Sequence, residues 1–115
     1  MAVGVTVSEL ELLCFFGVEP ELADDEPWVY NDSVYLVRDE HYELSFGLRP
    51  SYKDVSINLR TDGLEVYQLI ARDVAEIPLH NDQGREALEI SVSAGDSIWL
   101  RLKPSITIRH VVGSP

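Results

Sequence analysis

Tyr42, Leu44, Phe46 and Leu48 stand on alternate positions of the chain, with Glu43, Ser45 and Gly47 between them. A two-residue rhythm puts one set of side chains on each face of an extended strand, so a single buried face is written into the order of residues. The rhythm returns at Val55, Ile57 and Leu59, again at Leu88, Ile90 and Val92, and again at Ile98, Leu100 and Leu102. A helical bundle needs apolar residues every three or four positions and is excluded over most of the chain. At 115 residues there is room for one core, so a single domain over 1–115 is expected.

Turn chemistry separates these segments. Polar "RDEH" lies between "SVYLV" and "YELSFGL", and "PSYK" leads into "DVSINLR". Asp62 and Gly63 form the dipeptide that most readily takes the positive φ angles of a tight hairpin. Residues 64–79 carry two patterns: Val66, Tyr67, Ile70 and Val74 could line a helix, while β-branched content and the preceding turn favour a strand at about 64–70 with an extended "VAEIPL" after it. "NDQG" and "AGD" mark further turns, and Pro104 belongs at an edge, bend or bulge. On the strand of Ile98 and Leu100, Trp99, Arg101 and Lys103 point outward, unless a bulge turns Trp99 into the core. Ile106 and Ile108 face inward on a last strand, with His110 on the same side. The expected architecture is mainly β: a helix at 9–16, an acidic loop at 18–27, and an antiparallel meander over 28–112 that curls into a small sandwich or a partly open, Sm- or SH3-like barrel.

The helix has its own start and stop signals. Ser8 and Glu11 have capping-box spacing, Val7 and Leu12 have the spacing of a hydrophobic staple, and Gly17 suits a left-handed C-terminal cap. Leu10, Leu13 and Cys14 share a face that Leu12, Phe15 and Phe16 broaden, so the helix must dock, and Cys14 is expected to be buried and inert.

Charge is unevenly spread. The first 37 residues carry a net charge of −8 with no Lys or Arg, and the remaining 78 carry only −3. A negative field repels phosphate backbones and anionic lipid and speeds encounter with basic proteins; it also serves plain solubility. Glu19, Glu21, Asp24, Asp25 and Glu26, with the nearby aromatics Trp28 and Tyr30, make up the expected contact surface for a basic protein partner. Nucleic acid is disfavoured as a partner by net charge, although Arg101, Lys103 and Arg109 form a local basic strip.

Signals for chemistry are sparse. His41, His80 and His110 are far apart without metal-site spacing, and His41 and His80 fall in expected turns. Asp24, Asp25 and Glu26 lack the interleaved spacers and glycine of a calcium loop. No nucleophile elbow or phosphate-cradling glycine loop is present, so neither a metal, a cofactor nor a catalytic residue is expected. A single cysteine, no basic leader and no long apolar run fit a cytoplasmic protein with no membrane association. An enzyme built from carboxylates that converge from separate strands stays open, as does a monomer or a homodimer joined through strand edges.

Two resemblances add to this reading. "LLCFFGVEPELADDE" resembles the helix-plus-loop opening of small bacterial immunity proteins encoded beside secreted toxins, which are acidic because they cap basic nuclease or related toxin domains. It implies a non-enzymatic, inhibitor-like binding module. A short helix ahead of bent antiparallel strands is similar to the Sm-like layout, which would imply RNA binding; here Arg109 is followed by His110 where that family has Gly, and its Asp-Asn pair has no counterpart.

Overall fold

The computed structural model describes residues 7–92 and 95–111. Ser8 starts the helix as its spacing with Glu11 requires: Ser8 Oγ accepts from the Glu11 N–H at 3.1 Å, and Glu11 Oε1 accepts from the Ser8 N–H at 2.9 Å. The helix α1 runs over Glu9–Phe16 and stops at Gly17, whose φ of 70° lets its N–H reach the Leu13 carbonyl at 2.9 Å. Val7 and Leu12, the staple pair, are both buried. Leu12, Phe15 and Phe16 form the docked face, while Leu10 is 67% exposed and Cys14 faces solvent. The expected burial of Cys14 is therefore corrected. Two adjacent phenylalanines dominate the apolar area and rotate the helix so that the smaller thiol points away.

Ten strands follow. Glu21–Leu22 (β1), Ser33–Arg38 (β2), Glu43–Arg49 (β3), Asp54–Thr61 (β4) and Leu64–Ala71 (β5) pair in sequence order as an antiparallel sheet. Asp62 and Gly63 take φ angles of 52° and 77° between β4 and β5, as their chemistry allows. Residues 64–71 are thus strand and not helix, and the pairing shifts at Leu59/Arg60, which leaves Val66 as the extra residue of a bulge. The chain then crosses to a second sheet at Asp73 (φ 56°). There, Val74–Glu76 (β6) and Leu79–Asp82 (β7) share one edge of Arg85–Val92 (β8), whose other edge carries Ser97–Arg101 (β9) and then Thr107–Val111 (β10). Two expected loop regions gain structure: β1 lies inside the acidic segment, and β7 takes His80 out of its expected turn. Trp28–Tyr30 is a short 3-10 turn, so the second element of the first sheet begins only at Ser33. The expected turn position Ala94 and strand end Val112 lie outside the described residues.

The inner faces meet in one core. Tyr35, Leu44, Phe46, Leu48, Val55 and Ile57 come from the first sheet, and Leu88, Ile90, Ile98, Leu100 and Ile106 from the second region. Phe16 of α1 stacks on Tyr35 at 4.7 Å and lies 5.1 Å from Phe46, which ties the helix to the first sheet. Burial of each large side chain contributes about 1.5–3 kcal/mol, enough for an eight-residue helix that would not persist alone. Two polar contacts also link the layers. Asp39, in the β2–β3 turn, accepts from the Ile106 N–H at 2.8 Å, and the Tyr67 hydroxyl on β5 shares a hydrogen bond with His110 on β10. His110 leans to the inner side as expected but lies exposed at the rim. The described strands make a two-sheet sandwich and no closed barrel.

Candidate functional site

The acidic segment is shaped by one buried amide. Asn31 is 2% exposed, and its Oδ1 accepts from the N–H groups of Ala23 at 3.0 Å and Asp24 at 3.4 Å. Its Nδ2 donates to the carbonyls of Asp24 at 2.9 Å and Glu26 at 2.6 Å. The loop closes further where Asp24 Oδ1 accepts from the Glu26 N–H at 2.9 Å. β1 fixes the other side of the segment by pairing Glu21 with Val34 and Leu22 with Ser33.

This arrangement presents Glu19, Glu21, Asp24, Asp25, Glu26 and Tyr30 to solvent, Tyr30 at 63% exposure. Among the described residues none of those five carboxylates has a basic partner, whereas Asp32 at the end of the segment pairs with Arg49 at 2.7 Å. Trp28 is placed differently: half-buried against the core, it donates its indole N–H to the Tyr35 hydroxyl at 3.1 Å. Burial pushes the Tyr35 phenol above its ordinary range, partly offset by that bond. The structure therefore leaves these acids and Tyr30 exposed and turns Trp28 toward the core.

The outward face of the second sheet holds a different group. Trp99 points outward, as its alternation predicts, and is half-buried because His80 stacks on it at 4.7 Å and 26°. His80 is itself paired with Glu89 at 2.9 Å. Trp99, Arg101, Thr107 and Arg109 line a slot of about 370 Å³. Of the three basic residues marked in the sequence, Arg101 and Arg109 come together here, and Lys103 lines a separate hollow with Phe15 and Arg85. Thr107 and His80 were missed by sequence reasoning; the cue was the even spacing that joins Thr107 to Arg109, but His80 on a four-residue polar strand offered none.

Carboxylates do line two shallow hollows, but each that has a described partner is holding structure. Asp32 pairs with Arg49, and Glu43 pairs with Arg38 at 2.6 Å. Asp39 is held below its ordinary range by backbone N–H groups of Ile106, Tyr42 and His41. Among the described residues no group of three His, Cys, Asp or Glu side chains is placed to hold a metal ion.

A helix-capped antiparallel sandwich of two facing sheets, with an acidic segment at one end of the first, is the class that these observations define. No family model matches the chain, and no curated protein matches it. Its fold is that of a chain in a solved structure titled as a contact-dependent growth inhibition toxin and immunity protein complex from Klebsiella pneumoniae 342, with a TM-score of 0.80. The match covers 96% of this chain and 98% of that one at 19% identity, so the likeness is one of fold.

Proposed function

We propose that this protein is a non-enzymatic binding module of the immunity kind, which holds a basic protein partner against Glu19, Glu21, Asp24, Asp25, Glu26 and Tyr30, with Trp28 bracing the surface from below. One observation carries the reading: five exposed carboxylates that have no basic partner among the described residues, on a segment clamped by a buried asparagine. Charges left unpaired on a folded surface steer a complementary partner, and tyrosine supplies contact area at low entropic cost. The shared fold supports the same side of the argument, since the similar chain comes from a toxin and immunity protein complex. An acidic chain suits the inhibitor in such a pair, because its field complements a basic partner.

The test is a pull-down from the source cell's lysate at low and at physiological salt, with the wild type beside an Asp24→Lys, Asp25→Lys, Glu26→Lys variant. A basic protein retained by the wild type and lost by the variant supports the reading. Equal retention by both places the contact elsewhere, and empty lanes at both salt levels leave the acids to solubility.

A further inference from the structure

A guanidinium without a carboxylate partner is free to meet an anion from solution. Arg38 and Arg49 each have one, from Glu43 and Asp32. Arg60, Arg72, Arg85, Arg101 and Arg109 have none among the described residues, and of these Arg101 and Arg109 together border the slot beside Trp99. Strand register sets the geometry: Trp99 lies directly across from Arg109, and Arg101 directly across from Thr107. Directly opposed side chains on an antiparallel pair sit roughly 5 Å apart at Cβ, and next-but-one neighbours along a strand roughly 7 Å apart, so the four form a square block on one face. His80 covers part of the indole and, held by Glu89, keeps the ring in place.

We propose that the slot lined by Trp99, Arg101, Thr107 and Arg109 binds a nucleotide, the base against the indole and the phosphate between the two guanidiniums. Every nucleobase offers a π-face to an aromatic side chain, and guanidinium recognises phosphate through paired N–H donors. Thr107 adds a hydroxyl beside that pair. A volume of about 370 Å³ lies within the range of small-molecule sites. The basic protein proposed for the acidic segment carries the wrong sign for this slot, so the two surfaces take different ligands. A net charge of −11 also resists a long polyanion and favours a free nucleotide or the phosphorylated end of a short strand.

Isothermal titration calorimetry tests this with AMP, inorganic phosphate, a glutamate-rich peptide and a 5′-phosphorylated hexa-adenylate. Wild type should bind AMP or the hexa-adenylate. Arg101→Gln and Arg109→Gln should each weaken binding on the order of tenfold, and Trp99→Ala should weaken it too, with Trp99→Phe partly restoring it. Lys103→Gln should leave it nearly unchanged, and the acidic-segment reversal, which makes the protein less negative, should not weaken it, which keeps the outcome separate from that of the partner reading. A hexa-adenylate held more tightly than AMP, with a log–log salt slope of about −0.7 for the one phosphate between the guanidiniums, would identify a strand end as the ligand; equal affinities would identify the free nucleotide. The proposal is overturned if neither nucleotide binds, if the arginine variants bind as well as the wild type, or if phosphate or the peptide binds as tightly as AMP.

Discussion

Two neighbouring polar residues, Asn31 and Ser33, are both buried and differ in what surrounds them. Asn31 bonds four part-buried backbone groups, of which the Ala23 N–H keeps a second acceptor in the Asp32 carbonyl, so Asn31→Ala removes the rest of the clamp and should cost about 1–3 kcal/mol. Ser33 Oγ has no hydrogen-bond partner among the described residues, so Ser33→Ala should be neutral or stabilising by up to about 1 kcal/mol. Urea unfolding of both variants checks the contrast, and similar losses for the two would contradict it. Asp39 adds a pH dependence. Its Oδ1 accepts from His41 and Tyr42, and its Oδ2 from Ile106, so its charged form is favoured on folding. A folded pKa below the ordinary 3.8 gives stability that is fully present above that value and is lost as pH falls through the lower folded value. Asp39→Asn, which has one acceptor oxygen instead of two, should lose about 1 kcal/mol at pH 7 and progressively less relative to wild type as pH drops below 3.8; denaturant midpoints across that range provide the measurement.

At the scale of elements, α1 shows what local signals carry and where they stop. Its start at Ser8 and its end at Gly17 depend on contacts within four residues, and both were readable from residue types and spacing. Its docked face was not, because Leu10, Leu12, Leu13, Cys14, Phe15 and Phe16 cover nearly the whole circumference, and only the distant rings of Tyr35 and Phe46 select among them. The exposed thiol makes a direct prediction: Cys14 should react fully with a maleimide in the native state, within minutes and at a rate close to that in urea, whereas a buried thiol would wait for unfolding. The strands divide in the same way. Alternation found the inner faces of β3, β4, β8 and β9, and the Asp62–Gly63 turn settled the strand after it. β1 and β7 escaped because two and four mostly polar residues carry no period; their partners, β2 and β8, hold them in place. The candidate site was legible as composition, in the run of acids, but the Asn31 clamp that shapes it joins residues up to eight apart through side-chain bonds no pattern announces.

For the whole molecule, charge and fold point in different directions. Net negative charge concentrates in the first third of the chain, whereas Arg101 and Arg109 lie on the outward face of the opposite sheet. Association with a basic partner should therefore be steered by one end of the sandwich. Its on-rate should fall on the order of tenfold or more as ionic strength rises from about 10 to 150 mM, while the Debye length shrinks from roughly 30 to 8 Å, with a much smaller change in the off-rate. Stopped-flow mixing of the captured partner with this protein measures both rates, and a salt-independent on-rate would remove steering from the account. The Asn31 clamp has a consequence for that same event. A loop that has to be ordered on contact surrenders about 1 kcal/mol or more per backbone residue at the moment of binding. Residues 23–26 have already been ordered during folding, so a partner bound at the proposed surface would meet a preorganised contact and that entropic penalty would be absent from association. On the proposed reading, buried Asn31 would thereby set part of the affinity: loosening it should weaken a complex formed there even with every surface carboxylate intact.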